Sequence, residues 1–172
     1  SAVLYNASSM LLLPDLLGYF LTGVKTTEMT IAGTSCLMEN RQENWSIEVA
    51  RRFGIPEKLY TEIVEPRTFK GNLRQEIQIQ TGMKNTRLVA TVGHDSAAAV
   101  AAIPDFGENK LYISIGTNVS MGVERSECLL SREGYLKGFK NTGGIDRKKI
   151  IYRDFSACWH LNEFIRTRKE QG

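Results

Sequence analysis

A short apolar run that ends in a tight polar turn and continues as a helix limits how this chain can fold more than any other feature. Residues 87–92, Arg-Leu-Val-Ala-Thr-Val, have the β-branched, apolar character of a buried strand. The turn Gly93–Asp95 follows, and the alanine-rich residues 96–103 favour a helix. Strand, turn and helix in succession form the unit of α/β folds, in which ligands bind at the carboxyl ends of strands. We therefore predict an α/β fold with a ligand near this turn.

Segments that end at a glycine predict the helices of the first hundred residues. They lie at residues 11–21, 45–53 and 72–81, and the first repeats its apolar side chains at three- and four-residue spacing. Residues 26–36 are rich in threonine and small side chains, which predicts a loop with a short helical turn. These elements and the strand–turn–helix unit would belong to one α/β domain.

Later in the chain, short strands and turns replace the helices. Two short apolar runs, residues 110–115 and 118–124, flank Gly116-Thr117 and predict a β-hairpin. Residues 141–144 predict another turn, because they contain two adjacent glycines. Residues 150–168 predict a last helix. This second region has too few elements for a complete domain.

The change from helices to hairpins at residues 104–109 indicates a domain boundary. We assign residues 1–105 to a first domain and residues 106–172 to the beginning of a second one. The full length of 172 residues is sufficient to enclose a hydrophobic core. The organisation that we predict is therefore parts of two domains joined at this boundary.

Charge and composition exclude several classes of protein. The chain is 42% hydrophobic and 24% charged, as globular proteins are, and its net charge of +3 is too small to favour a nucleic-acid partner. No apolar run reaches the length of a membrane span, and the first residues lack a signal-peptide pattern, so we expect a cytoplasmic protein with no membrane partner. The cysteines and histidines share no metal-ligand spacing, and we predict no structural metal site.

Asp95 is the first candidate for chemistry, because it follows directly after the predicted strand. A carboxylate at that position can accept the proton of a substrate hydroxyl as its oxygen attacks a phosphoryl group. The alternative is structural, since aspartate is a favoured residue at the start of a helix and can accept hydrogen bonds from the first backbone amides. The two roles are compatible.

The hairpin tip Gly116-Thr117 is a second candidate. Glycine permits a tight backbone, and exposed amides together with the threonine hydroxyl can hold phosphate oxygens. Residues 141–144 could approach a ligand with their backbone in the same way. At both places the alternative is an ordinary turn without a ligand. The sequence contains no Gly-x-x-x-x-Gly-Lys-Ser/Thr loop, so nucleotide binding of that class is not supported.

Several segments, taken in order, carry a family resemblance. They are Leu13–Gly23, Glu28–Thr34, Trp45–Pro56, Glu62–Val64, Gly93–Ala102, Tyr112–Thr117 and Asn141–Gly144. The ordered set resembles the FGGY carbohydrate kinases, most closely the rhamnulokinases, over nearly the whole chain. The resemblance implies an α/β fold of the actin-like ATPase (ribonuclease H-like) type. The fold would be incomplete, with the later part of the first domain and the start of the second.

The resemblance also implies roles for single residues. The catalytic base of the family is the aspartate of a His-Asp-Thr motif, which corresponds here to Asp95. His94 and Ser96 fall where the sugar is contacted, with Ser96 in place of the usual threonine. Gly116 and Thr117 fall where the family contacts the phosphates of ATP. The implied ligands are therefore a ketose sugar, ATP and Mg²⁺.

Three positions depart from the family pattern. Asn118 follows the Gly-Thr pair where an aromatic residue is common, and Thr142 replaces the glutamate of an Asn-Glu-Gly-Gly motif. Asp154 occupies the place of a sugar-contacting asparagine, which the resemblance puts in the final helix. A carboxylate at that position would change how sugar hydroxyls are recognised.

The resemblance implies an ATP-dependent kinase of rhamnose metabolism that converts L-rhamnulose to its 1-phosphate. The phosphate-binding hairpin and the adenosine-binding region of the family have no counterpart in this sequence, so we expect negligible activity from the chain alone. The substitutions at Asn118, Thr142 and Asp154 suggest an alternative, a non-catalytic actin-like module that binds a sugar or a partner protein. A basic nucleic-acid-binding domain is a third reading. Uncovered apolar faces would also permit a homodimer.

Overall fold

A computed structural model describes residues 2–39, 41–104, 111–116 and 119–171. Contacts between residues divide the chain into two compact units. The first unit contains the residues up to Ala102 together with Thr142–Arg147, and the second contains Ile103–Asn141 and the residues from Lys148 onward. The boundary that the sequence predicts, between residues 105 and 106, falls outside the described residues and stays a prediction.

The helices of the first unit are α1 (Ala2–Asn6), α2 (Leu13–Thr22), α3 (Met29–Ala32), α4 (Ile47–Phe53), α5 (Gln75–Thr81) and α6 (Asp95–Ala101). Three of them end at the predicted glycines, whereas α6 ends at Ala101 instead of residue 103 and α1 was not predicted. Gly23 ends α2 with a left-handed φ of 82°, a conformation that glycine adopts without the steric cost of a Cβ. The hydroxyl of Ser46 caps α4 by accepting a hydrogen bond from the amide of Val49, and such a cap stabilises by about 1 kcal/mol.

The strands of the first unit form three small two-stranded sheets. They are β1 (Thr26–Glu28), β2 (Met38–Glu39), β3 (Asn44–Trp45), β4 (Glu62–Val64), β5 (Phe69–Asn72) and β6 (Arg87–Val89). β1 pairs with β4 in parallel, and the pairs β2–β3 and β5–β6 are antiparallel.

Two details of the sequence prediction for this unit are wrong. Residues 26–28 form β1 instead of a loop, and the buried hydroxyl of Thr27 lies 2.7 Å from the hydroxyl of Thr61 beside the partner strand. β6 exists but covers only residues 87–89, and Val89 is 49% exposed, so β6 is not the buried strand that its composition suggested. The β-branched side chains correctly predicted strand conformation, but the burial of a strand depends on neighbours that are distant in the sequence.

The core of the first unit combines small apolar side chains with a buried ion pair. Ala32, Ala50 and Leu59 are at most 1% exposed. The first unit also buries the pair of Asp15 on α2 and Lys70 on β5, whose carboxylate oxygen and ammonium nitrogen are 2.8 Å apart. The side chains of this pair are only 2% and 5% exposed, which makes each ion depend on the other for its solvation.

The second unit is built on a four-stranded sheet. Its elements are β7 (Leu111–Ile115), β8 (Val119–Arg125), α7 (Arg132–Leu136), β9 (Lys140–Gly143), β10 (Lys149–Phe155) and α8 (Ala157–Gln171). The last two residues of β9, Thr142 and Gly143, are assigned to the first unit. The strand order is β7-β8-β10-β9, and β8 is antiparallel to both of its neighbours. The predicted hairpin of two strands around residue 116 is therefore confirmed.

Two other predictions for this region are wrong. Residues 140–143 are strand β9 and not a turn, and the chain reverses instead at Asp146 and Arg147, which both have positive φ. Residues 149–155 are strand β10, so the last helix begins only at Ala157. The isoleucines, tyrosine and phenylalanine of β10 suit a pleated strand, and Ile150 packs into the core with 2% exposure.

None of the helices in the described ranges combines the length and the apolar character that crossing a bilayer requires.

Candidate functional site

Asp95 lies where the first unit exposes the start of a helix. It is the first residue of α6, and its side chain is 96% exposed. Its Oδ1 accepts a hydrogen bond of 2.6 Å from the amide of Ser96 and one of 3.4 Å from the Ser96 hydroxyl. The capping position belongs to His94, whose side chain makes no capping hydrogen bond. Asp95 therefore does not occupy the capping position of α6. Its carboxylate contacts one backbone amide of the helix, that of Ser96, and remains open to solvent.

Two buried residues, Glu28 and Thr30, accept hydrogen bonds from the backbone of the turn before Asp95. The sequence pattern did not identify either of them as functional. The Glu28 carboxylate accepts a hydrogen bond of 2.9 Å from the amide of Gly93. The Thr30 hydroxyl accepts one of 3.2 Å from the amide of His94. Glu28 is 2% exposed and Thr30 is completely buried. Glu28 precedes a helix, as capping residues do, but nothing local in the sequence connects it to a turn 65 residues later.

His94 presents its two ring nitrogens to different surroundings. Nε2 lies 3.7 Å from Oδ1 of Asp95, which is an ion pair only when the imidazole is protonated. Nδ1 is buried and has no hydrogen-bond partner among the residues that the structure describes. Since the side chain is 20% exposed, Nε2 is the nitrogen that a ligand beside Asp95 could meet. His94, Asp95 and Ser96 thus form a contiguous polar group at this surface.

The phosphate-binding candidates lie in the second unit. Gly116 follows the last residue of β7 and is exposed. Thr117 lies outside the described residues, as does Asn118. Their predicted contact with ATP phosphates stays a prediction.

Asp154 lies on β10 and not in the final helix, so the placement that the resemblance implied is wrong. It is paired in register with Ser120 of β8, and Ser120 donates a short hydrogen bond to Oδ1 of Asp154. Lys140 of β9 donates a 2.8 Å hydrogen bond to Oδ2. Burial alone would raise the pKa of Asp154, but the hydrogen bonds from Lys140 and Ser120 and the charge of Lys140 outweigh it and lower that pKa. The Asp154 carboxylate is therefore ionised and already paired with the ammonium group of Lys140.

Asn141 and Thr142 have structural contacts in the described chain. The Asn141 amide side chain makes two hydrogen bonds with the backbone of Leu129, of 2.8 Å and 3.0 Å. Thr142 is 4% exposed and belongs to the first unit, where its hydroxyl would lie 3.6 Å from a Cβ placed on Gly33. We predicted that the backbone of residues 141–144 approaches a ligand. The contacts of Asn141 and the burial of Thr142 give that prediction no support. Within the described ranges, no group of three histidine, cysteine, aspartate or glutamate residues could hold a metal ion.

The same region of the second unit contains a tyrosine with a shifted pKa, and we expect it to be visible in an alkaline titration. Burial, with smaller contributions from Tyr152 and Asp154, raises the pKa of Tyr112 to about 12, from an ordinary value of about 10. The stability that the neutral phenol contributes is complete below its unfolded pKa and is lost as the pH rises through the folded pKa. Ultraviolet absorbance should show a tyrosine ionisation near pH 12, separate from that of Tyr60, whose pKa is also raised by burial.

Substitution identifies the source of that late ionisation. Tyr112→Phe should remove it, whereas Tyr5→Phe, at a side chain that is 73% exposed, should leave it in place. An ionisation near pH 12 that persists in Tyr112→Phe would contradict this description of the second unit.

Comparison with known proteins gives consistent results for sequence and structure. Residues 2–102 match the N-terminal domain of the FGGY family of carbohydrate kinases. The rhamnulokinase of Bacteroides thetaiotaomicron is 33% identical over 160 residues, which cover 93% of this chain and 33% of that protein. The rhamnulokinase of Enterococcus faecalis is 31% identical over 165 residues, which cover 96% of this chain and 33% of that protein. The chain thus spans about a third of the length of the curated relatives that it matches.

Solved structures show the same mixed α/β fold. A carbohydrate kinase from Novosphingobium aromaticivorans matches with a TM-score of 0.74 and 23% identity, over 90% of this chain and 34% of that one. A ligand-bound xylulose kinase from Lactobacillus acidophilus matches with a TM-score of 0.73 and 12% identity, over 87% of this chain and 30% of that one. A Plasmodium falciparum glycerol kinase with ADP matches with a TM-score of 0.74 and 18% identity, over 90% and 31%.

Proposed function

Because the chain belongs to the FGGY family of carbohydrate kinases, we propose that it forms about a third of an ATP-dependent sugar kinase with an actin-like fold, in which Asp95 is the catalytic base. The observation that carries this proposal is the Asp95 carboxylate, 96% exposed at the start of α6, on a turn whose backbone is held by buried acceptors. A base must be within reach of the substrate proton, and an exposed carboxylate on a fixed turn meets that requirement.

The proposed reaction transfers the γ-phosphoryl group of ATP to a primary hydroxyl of a ketose. The hydroxyl oxygen forms a bond to the γ-phosphorus while the bond from phosphorus to the bridging oxygen breaks and ADP leaves. The O–H bond breaks in the same step, and the proton passes to the carboxylate of Asp95. His94 and Ser96 orient the sugar beside it, and Gly116 and Thr117 contact the phosphates. Bound together with ATP, Mg²⁺ would supply positive charge that neutralises the phosphate oxygens.

L-Rhamnulose is the substrate that we propose, with L-rhamnulose 1-phosphate as product, and the cytoplasm is the proposed compartment. Relatives named rhamnulokinase at 31–33% identity support this choice. Asp154 is the residue expected to modify it, since its carboxylate is held by Lys140 and Ser120 and would offer the sugar only its remaining acceptor capacity.

The test compares the complete protein that carries this chain with the chain alone. In a coupled ATP assay with L-rhamnulose, fuculose and xylulose, we expect turnover by the complete protein, with the highest kcat/KM for L-rhamnulose. The chain alone should give none, because phosphoryl transfer depends on several positioned groups acting together. Clear turnover by the chain alone would contradict our expectation that it lacks parts of the catalytic machinery.

A non-catalytic sugar-binding module is the second candidate, and the engagement of Asp154 by a lysine favours it. In that case the complete protein would bind a ketose in calorimetry but would not consume ATP in its presence. ATP consumption that depends on the sugar would exclude the module.

A further inference from the structure

We propose that Glu28 and Thr30 are positioning residues that set the direction of the Asp95 carboxylate; this inference rests on the proposed function of Asp95. Because the Asp95 side chain is 96% exposed, packing does little to hold it. Apart from its contacts with Ser96, its direction therefore depends on the backbone that precedes it.

Glu28 accepts a hydrogen bond from the first amide of that backbone, the amide of Gly93. Its carboxylate is buried and accepts hydrogen bonds from the amides of Thr30, Ile31 and Gly93 and from the Thr30 hydroxyl, at 2.5 to 3.2 Å. Three of these four donors lie in the first turn of α3, and the fourth lies 65 residues later, in the turn before Asp95. A carboxylate that accepts several such hydrogen bonds forms strong, charge-assisted contacts. Glu28 therefore ties the start of α3 to the turn.

Thr30 accepts a hydrogen bond from the second amide, that of His94. Its hydroxyl donates to the Glu28 carboxylate at 2.5 Å and accepts from the amide of His94 at 3.2 Å. Both amides immediately before Asp95 are thus held, one by Glu28 directly and one through Thr30. Gly93 permits this approach, because a Cβ at its position would lie 3.0 Å from the carboxylate oxygen of Glu28. A larger residue there would push the turn away from its acceptors.

Glu28 is held in turn by the buried ion pair of the first unit. Its own amide donates a 3.1 Å hydrogen bond to Oδ1 of Asp15, the same oxygen that accepts from Lys70. A continuous set of hydrogen bonds therefore runs from Lys70 through Asp15 and Glu28 to the turn. This support is made of buried groups, so the turn should keep its geometry before substrate binds.

Thr30→Val in the complete protein tests the inference, with Thr27→Val as its matched control. Both threonines are completely buried, lie three residues apart and use their hydroxyls in hydrogen bonds, but the Thr27 hydroxyl contacts Thr61 and not the turn. We expect Thr30→Val to lower kcat about 10- to 100-fold with little change in the KM for ATP, since small misplacements of catalytic groups cost about that much. Thr27→Val should lose comparable thermal stability but keep kcat, and Thr30→Ser should restore it.

Glu28→Gln gives a second variant that preserves side-chain volume. Amide hydrogen exchange at Gly93 and His94 should become faster in Glu28→Gln and Thr30→Val, but not in Thr27→Val. Equal kcat values for Thr30→Val and Thr27→Val, in a protein that Asp95→Asn inactivates, would overturn the positioning role alone. Full turnover by Asp95→Asn would instead overturn the proposed function, and the positioning role with it.

Discussion

Asp95→Asn in the complete protein is expected to lower kcat for sugar phosphorylation by about 10²- to 10⁴-fold, the usual contribution of a general base. Asparagine preserves the size of the side chain and can still accept a hydrogen bond from the Ser96 amide through its own oxygen, but it cannot take up the sugar proton. The KM values for sugar and ATP should change much less than kcat, because the interaction lost is one made in the transition state. Steady-state kinetics in the coupled assay measure both quantities.

Asp146→Asn is the matched control for that experiment. Asp146 also lies in the first unit and is 60% exposed, and its contact is an ion pair with the exposed Arg67. The chemical change is identical, but no hydroxyl of substrate is expected near it, so kcat should stay close to that of the unaltered protein. A kcat for Asp95→Asn that matches the Asp146→Asn value would rule out Asp95 as the base.

Of the substitutions proposed for this protein, Lys70→Met is expected to destabilise the first unit most, by about 3–5 kcal/mol in its free energy of unfolding. The substitution leaves the Asp15 carboxylate, which is 2% exposed, without the ammonium that lies 2.8 Å away. Oδ2 of Asp15 already has no hydrogen-bond partner among the described residues, so little remains to solvate the charge. Denaturant unfolding followed by circular dichroism measures the change.

Two further variants separate the unpaired charge from the loss of lysine packing. Adding Asp15→Asn to Lys70→Met removes the isolated charge and should recover much of the lost stability, since a buried pair can often be replaced at little cost. Arg52→Ala breaks the exposed pair of Arg52 and Glu48 on α4 and should change stability by no more than about 0.5 kcal/mol. If Lys70→Met were as mild as Arg52→Ala, the pair could not be the buried support that we describe.

Local signals identified the elements whose conformation depends on nearby residues. Glycines at positions 23, 54 and 82 ended three helices as predicted, because each adopts a left-handed φ there. The hairpin around residue 116 also followed from its two apolar runs. The sequence further placed Asp95 at the start of a helix after a strand, which is where it lies. In these cases the determining interactions span only a few residues.

Pairing between distant segments decided the elements that the sequence predicted wrongly. Residues 149–155 have the apolar content of a helix or a strand, and their register with β8 makes them a strand. The same pairing places Asp154 opposite Ser120 instead of in the last helix. Residues 26–28 likewise become a strand through their parallel partner β4. Periodicity over a short apolar run cannot distinguish these outcomes.

The sequence by itself determined the family, the α/β character of the chain and the identity of its candidate base, because motifs and glycines act locally. Only the tertiary structure showed what supports that base. Glu28 and Gly93 lie 65 positions apart in the sequence, and Asp15 and Lys70 lie 55 apart, yet both pairs are in hydrogen-bond contact. Such contacts depend on how the chain folds back on itself, and no local pattern encodes which buried acceptor will meet which amide.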